Sequence, residues 1–263
     1  MTHPESQIYL GDCLELMKDI PSGSIDAIIT DPPYGTTACK WDTVIPFDLM
    51  WEQLNRIIKP NGAIVLFGSE PFSSALRMSN LKNYKYDWIW DRVAPSGFLN
   101  ASLMPMKRHE IISVFVSKEK PTYNKQMEKR NPNANSLGKK ENYSKSKGNV
   151  NTKVYGEIKD KKIISYNQDF RNPTTIIEFS KGNNRHSLHP TQKPVALIEY
   201  LIKTYTNEGE TVLDFTAGSG TTAIACLNTN RNFIVMEKEP MYYEIITNRI
   251  ANFKPIEIPL TLF

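Results

Sequence analysis

Cysteine is scarce. The chain has 263 residues and three cysteines, Cys13, Cys39 and Cys226, far apart and with no C-x-x-C pair. That spacing excludes a recognisable zinc framework or disulfide scaffold and suits a reducing compartment. Long apolar runs are also missing. The stretch 63–67 (AIVLF) is among the longest, far below the ~20 residues of a membrane span. The opening residues, MTHPE, carry no basic-then-apolar signal pattern. Net charge is small, +4, and by itself says little about partners. The expectation is a cytoplasmic protein, long enough to bury a core without a metal or a crosslink.

What charge there is lies unevenly. Residues 118–186 hold 16 Lys and Arg against 7 Asp and Glu, a net of +9 beside a remainder of −5. The same segment is rich in Asn, Lys, Ser and Gly and poor in apolar residues before 174–179. Charge alone does not choose between a polyanion-binding insert and a solvated linker.

The flanks have a different rhythm. Short apolar runs at 25–30 (IDAIIT), 63–67, 85–90 and 111–116 read as strands. Met50, Leu54, Ile57 and Ile58 stand at helical spacing within 47–58, and the turn formers of 59–62 (KPNG) are expected to end that helix. After 187, Val195, Ile198, Ile202 and Tyr205 share a helical face. Runs at 211–215 and 233–236 read as buried strands, with a helix from about 221 between them and another at 241–252. Strands alternating with helices point to a mostly parallel α/β sheet. The expected architecture is a catalytic and cofactor-binding domain from 1–117 and 187–263, with 118–186 inserted.

Two loops carry chemistry. Asp31, Pro32, Pro33 and Tyr34 (DPPY) follow the apolar strand 25–30, where ligands sit in parallel sheets. Consecutive prolines fix two φ angles and remove two N–H donors, leaving free carbonyls on a stiff loop. One carboxylate, carbonyl acceptors and an aromatic face are thereby grouped. An exocyclic base amine is a poor nucleophile because its lone pair is delocalised into the ring. Hydrogen bonds accepted from both of its N–H groups localise that pair, and the carboxylate steadies the positive charge that develops. An aromatic ring holds a base that has left its stack.

The second loop, 214–222 (DFTAGSGTT), also joins a strand to a helix. Its glycines allow close backbone approach to a ligand at the helix start. No Lys follows Gly220, which excludes a Walker A loop. Ala223 in place of a third glycine leaves a nicotinamide-dependent oxidoreductase open. Glu237, ending the next apolar run, is placed for a ribose.

The DPPY loop followed by the glycine loop resembles the DNA amino-methyltransferases, the N6-adenine and N4-cytosine enzymes of restriction–modification systems and phages. Catalytic loop first, insert second and cofactor loop third resembles their permuted β group. YLGDC at 9–13, HPTQKP at 189–194 and FIVME at 233–237 followed by Tyr242 and Tyr243 match further family segments. The resemblance covers about 1–117 and 187–253.

It implies a Rossmann-like α/β domain with a mixed, mostly parallel seven-stranded sheet and an inserted target-recognition region. The implied cofactor is S-adenosyl-L-methionine, leaving as S-adenosyl-L-homocysteine, with no metal. The implied catalytic set is Asp31, Pro32, Pro33 and Tyr34. Asp31 orients the amine, the Pro33 carbonyl accepts from it, and Tyr34 stacks on the base. The implied cofactor set is Asp12, Cys13, Asp31, Thr191, Lys193, Asp214, Phe215, Thr216, Gly218, Ser219, Gly220, Thr221, Thr222, Glu237 and Lys238. In it Asp12 meets the adenine, Glu237 the ribose, Asp214 the amino-acid portion, and the segment with Lys193 helps seat the cofactor. DNA contacts are expected from Lys40, Trp41, Arg108, Lys139, Lys140, Lys145 and Lys147. The implied partner is double-stranded DNA whose target base is flipped, for a bacterial or phage-encoded monomer or homodimer, with a cognate endonuclease in restriction–modification systems. Asp31 favours adenine N6, since Ser is more usual there for cytosine N4. An inactive DNA-binding relative is the remaining alternative.

Overall fold

In a computed structural model the described residues are 6–37, 39, 42–116, 119–129, 150–152, 156–158, 170–181 and 192–254. The strands, in chain order, are β1 (Ser6–Leu10), β2 (Ile25–Thr30), β3 (Ile58–Gly68), β4 (Tyr84–Ser96), β5 (Lys107–Phe115), β6 (Glu128–Lys129), β7 (Val150–Thr152), β8 (Gly156–Ile158), β9 (Phe170–Arg171), β10 (Ile176–Glu178), β11 (Thr211–Asp214) and β12 (Asn232–Glu237). The helices are α1 (Cys13–Leu16), α2 (Phe47–Ile57), α3 (Phe72–Ser79), α4 (Val195–Tyr205), α5 (Thr221–Asn228) and α6 (Pro240–Ala251). The chain divides into two compact units, Met1–Asn124 with Thr174–Phe263, and Lys125–Pro173.

The first unit is built on one sheet of order β1-β12-β11-β2-β3-β5-β4-β10. Of these described strands, β5 alone runs against its neighbours, pairing antiparallel with β3 and β4. The resemblance implies seven strands, and among the described residues the sheet has eight. The extra one is β10, which pairs parallel to β4 through Ile176, Ile177 and Glu178. Those residues lie within the expected insert, yet Ile177 is buried in the main core. An apolar run of this kind is stabilised by joining a sheet edge rather than remaining in a polar segment. In the second unit, β6 pairs with β9, and β7 pairs with β8, each antiparallel.

Period-2 alternation divides the core between the two faces of the sheet. Ala27, Ile29, Val65 and Phe67 point to the face packed with Leu197, Leu201 and Tyr205 of α4 and Ala225 of α5. Ile28, Ile64 and Leu66 point to the other, where Met50, Trp51, Leu54 and Ile57 of α2 meet Leu76 of α3. The chain leaves β2 toward β3 on one side, while β11 and β12 lie on the other. The crevice beyond the ends of β2 and β11 is therefore a topological switch point, where open α/β sheets bind ligands.

β3 starts at Ile58, before the KPNG turn signal at 59–62, because Ile58 pairs with Ile25 of β2. An irregularity between Ile25 and Ala27 absorbs the mismatch before regular pairing resumes at Ala27 and Ala63. Local turn propensity thus yields to pairing with β2.

Candidate active site

The tips of β2 and β11 are laced together. Thr30 Oγ1 donates to Asp214 Oδ1 at 2.7 Å, and the Phe215 amide donates to Thr30 Oγ1 at 3.0 Å. Thr216 Oγ1 donates to the carbonyl of Asp31 at 3.1 Å. The loops that follow the two strands are thus fixed side by side, and they wall a cavity of about 330 Å³.

The DPPY loop owes its shape to a residue beyond it. Asp42 gathers four backbone amides: Oδ1 accepts from Tyr34 and Gly35 at 2.8 and 2.9 Å, and Oδ2 from Thr36 and Thr37 at 2.9 and 2.7 Å. Gly35 takes a left-handed φ of +68°, and a Cβ there would lie 2.9 Å from Val44. Burial pushes the Asp42 carboxyl up, but these hydrogen bonds outweigh it and hold the group below the usual carboxylate range.

Asp31 stands at the tip of β2 with its side chain partly buried. Its Oδ1 accepts from the Tyr34 hydroxyl and its Oδ2 from Lys193 Nζ. Burial raises the Asp31 carboxyl above its ordinary range, Lys193 opposes that rise, and Glu110 adds to it. The Tyr34 ring packs 5.0 Å from the ring of Phe72.

At the other end of the cavity, Glu237 closes β12. Its Oε2 accepts from the Gly218 amide at 2.7 Å and its Oε1 from the Glu239 amide at 2.8 Å. Burial raises this carboxyl too. Asp12 caps α1 by accepting from Leu14 N at 2.9 Å, and Lys238 lies 3.2 Å from its other oxygen. Asp214 is fully engaged within the protein, accepting from Thr30, from the Thr216 amide at 3.2 Å and from Thr222 Oγ1 at 2.5 Å. Burial pushes its carboxyl up to about 6.

Asp12, Cys13, Asp31, Pro32, Pro33, Tyr34, Lys193, Asp214, Phe215, Thr216, Gly218, Ser219, Thr221, Thr222, Glu237 and Lys238 all line this one cavity. Gly220 does not. It sits behind the wall as the cap of α5, at φ +76°, where a Cβ would press on Ile246 at 3.0 Å. Arg108 is held in an ion pair with Asp91 at 2.7 Å. Thr191, Lys40, Trp41, Lys139, Lys140, Lys145 and Lys147 lie outside the described residues. The motifs point to no loop-shaping role for Asp42 and to no contact between Lys193 and Asp31. Asp42 follows the loop at a spacing that gives a carboxylate reach over a turn, which is a usable signal; the Lys193 contact spans 162 positions and leaves none. Cys13 and Cys226 are buried thiols; burial pushes Cys13 up to about 12, with Asp12 adding to the rise, and raises Cys226 as well. Neither has the character of a nucleophile.

A carboxylate on a stiff loop beside a glycine-bordered cavity of a doubly wound sheet defines a group-transfer enzyme of the class I methyltransferase fold. Residues 25–248 match the family model for DNA methylases of the N6/N4 type. The chain belongs to that family. It is similar to the type II methyltransferase M.HpaI of Haemophilus parainfluenzae, 28% identical over 262 residues, covering 94% of this chain and 74% of that one. It is similar also to the type II methyltransferase M.BglII of Bacillus subtilis, 29% identical over 262 residues, covering 91% and 67% respectively. Among solved structures, the M1.HpyAVI–SAM complex superposes with a TM-score of 0.61 at 27% identity, over 93% of this chain and 99% of that one. The cytosine-N4-specific PvuII DNA methyltransferase superposes at 0.67 with 18% identity, over 98% and 89%, a likeness of fold.

Proposed function

We propose that the chain methylates the exocyclic N6 of adenine in double-stranded DNA, using S-adenosyl-L-methionine and a flipped target base. The observation that carries this reading is the Asp31 carboxylate, fixed beside the glycine loop by the Thr30–Asp214 and Thr216–Asp31 hydrogen bonds.

The cavity suits the cofactor. Thr221 Oγ1 is buried at the start of α5, lines the cavity and has no hydrogen-bond partner among the described residues. It is a polar atom beside helix N–H groups, where a carboxylate of an amino-acid portion is favoured. Glu237 and Asp12 are acceptors for a ribose diol and a base amine, and Gly218 and Ser219 border the space between. Bound there, S-adenosyl-L-methionine supplies an electrophilic methyl group.

The protein's part is to prepare the amine. Asp31 accepts from one N–H of the base and the Pro33 carbonyl from the other, which returns the lone pair to the nitrogen. The same carboxylate stabilises the cationic nitrogen after attack and is the nearest acceptor for the proton it sheds. Asp42 keeps the loop in shape, so its acceptors are in place beforehand. Tyr34 lines the cavity with the buried Phe72 ring packed behind it, and an extruded base is held against Tyr34.

We assign target recognition to the inserted region 118–186, whose compact part is 125–173. Its excess of lysine and arginine suits phosphate contact. Asp31, rather than Ser, favours adenine over cytosine. The setting is a bacterial or phage cytoplasm; a cognate endonuclease would accompany the chain in a restriction–modification pair.

Incubation with tritiated S-adenosyl-L-methionine and unmethylated DNA, then digestion to nucleosides, tests the reading. Label in N6-methyldeoxyadenosine supports it. Label in N4-methyldeoxycytidine moves the substrate, and no label with intact cofactor binding leaves a DNA-binding relative.

A further inference from the structure

Lys193 stands just before α4 and is 8% exposed. Its Nζ donates to Asp31 Oδ2, lies 3.3 Å from Glu110 Oε2 and sits 5.1 Å from the centre of the Phe67 ring. A buried ammonium is costly unless paired. Burial disfavours its charge, but Asp31 and Glu110 outweigh that and hold Lys193 above the usual lysine range.

The two carboxylates are not equally satisfied. Asp31 has a donor on each oxygen, from Tyr34 and Lys193. Glu110 Oε1 has the guanidinium of Arg92 at 3.5 Å, while the buried Oε2 has the Lys193 ammonium alone, in an ion pair at 3.3 Å, among the described residues. So the oxygen that an incoming amine needs is already taken, and the acceptor beside it has capacity to spare. Arg92 itself is anchored on Ser96 Oγ at 2.7 Å and on the Lys107 carbonyl, so Glu110 is held in place.

We propose that Lys193 is a positioning residue for Asp31. It caps Oδ2 while no base is bound, and it withdraws onto Glu110 Oε2 when the target amine takes that oxygen. The ammonium stays paired throughout, and the loop carboxylate is never left bare in the cavity. This rests on Asp31 being the carboxylate that meets the amine. It gives Lys193 a task distinct from holding the cofactor.

Among the described residues, five groups act on the Asp31 carboxyl: Lys193 before α4, Glu110 on β5 and Tyr34 on its own loop, with Asp214 at the tip of β11 and Lys181 after β10 through their charge. Lys193 opposes protonation of Asp31 and Glu110 promotes it. Removing each should therefore move the acid limb of the rate profile in opposite directions.

The experiment compares wild type, Lys193→Met, Lys193→Arg and Glu110→Gln. The kcat/KM for unmethylated plasmid DNA is followed from pH 5 to 9 with saturating tritiated S-adenosyl-L-methionine, and cofactor affinity is measured by calorimetry. In Lys193→Met the acid limb is expected to rise by about one to three pH units. Lys193→Arg is expected to return it toward wild type. In Glu110→Gln the limb is expected to fall, and kcat to drop about tenfold because the withdrawn cation has a weaker acceptor. Cofactor affinity is expected to hold within about twofold in all three, an effect below that of one missing hydrogen bond. Limbs that stay put or move together overturn the proposal, as does a tenfold or greater loss of cofactor affinity in Lys193→Met. If Lys193→Met does not fold, Glu110→Gln decides, and a limb that does not fall overturns it. Wild type without methyl transfer, or Asp31→Ala with full turnover, would instead sink the reading of the site itself.

Discussion

At the scale of single residues, Asp31 and Asp42 divide the loop between chemistry and shape. Asp31→Ala removes the acceptor that prepares the amine but leaves the glycine loop, Glu237 and Asp12 intact. Turnover is expected to fall by about a hundredfold to a thousandfold, the scale of losing one preorganised electrostatic group, while calorimetric cofactor affinity survives. Asp42→Ala strands four amides that now share one carboxylate. It is expected to lower the melting temperature and kcat together, whereas Asp31→Ala lowers kcat alone; equal melting temperatures in the two variants would contradict the loop-shaping role.

Asp214 supplies a pH dependence with a definite sign. Its folded value, about 6, lies above the ordinary 3.8, so the folded state binds its proton more readily than the unfolded chain does. The associated stability is full below about pH 4 and is lost as the pH rises through about 6. Asparagine cannot ionise, and the hydroxyls of Thr30 and Thr222 are free to turn and accept from its amide. Asp214→Asn is therefore expected to gain on wild type as the pH rises from about 4 through about 6, and to keep that gain at higher pH. The gain is at most about 3 kcal/mol, since each pH unit between the folded and unfolded values is worth about 1.36 kcal/mol. Melting curves of both proteins across that range check it; a constant gap would refute it.

At the scale of elements, legibility follows the source of the stabilising contacts. Strand β2 and the face of α2 are readable because period and burial coincide: Met50, Leu54 and Ile57 recur at helical spacing and all enter one core cluster. The chemistry-bearing loops are readable because proline, glycine and acidic residues follow apolar runs directly. Helix α3 escapes a reading of the pattern, since Phe72 and Leu76 are the large apolar side chains it buries. β10 escapes it as part of the main sheet, because three residues become a strand only when β4 offers an edge. The Lys193–Asp31–Glu110 group is invisible for a related reason: three separate segments meet there, and no local pattern reports it. At this scale Gly220 is the sharpest test. Gly220→Ala forces a Cβ at φ +76° to within 3.0 Å of Ile246, and is expected to cost about 1–3 kcal/mol and to loosen α5 against α6. Thermal melting together with cofactor titration measures both.

At the scale of the whole molecule, the two compact units suggest separate duties. Replacing Lys139, Lys140, Lys145 and Lys147 by alanine is expected to lower the salt dependence of DNA binding by about 0.9 in logarithmic slope for each phosphate no longer neutralised. Cofactor affinity and melting of the first unit should not change. Fluorescence anisotropy of labelled duplexes over a salt series makes the measurement, and an unchanged slope would release those lysines from any role at the DNA backbone. S-adenosyl-L-methionine, but not NADH, should raise the melting temperature by mass action, which sets the methyl-transfer reading against the oxidoreductase alternative.

The boundaries of the second unit carry a consequence of their own. Just before it, Asn124 is tied to the end of α4, its amide donating to the Thr204 carbonyl at 2.7 Å and its side chain to the Thr206 carbonyl at 3.0 Å. Just after it, β10 is stitched to β4. Both stems are clamped to the framework, so substitutions or insertions between them are expected to leave the chemistry beside β2 and β11 in place. With target recognition assigned to this region as proposed above, such an arrangement would let selection rewrite which words of DNA are marked without relearning how to write the mark.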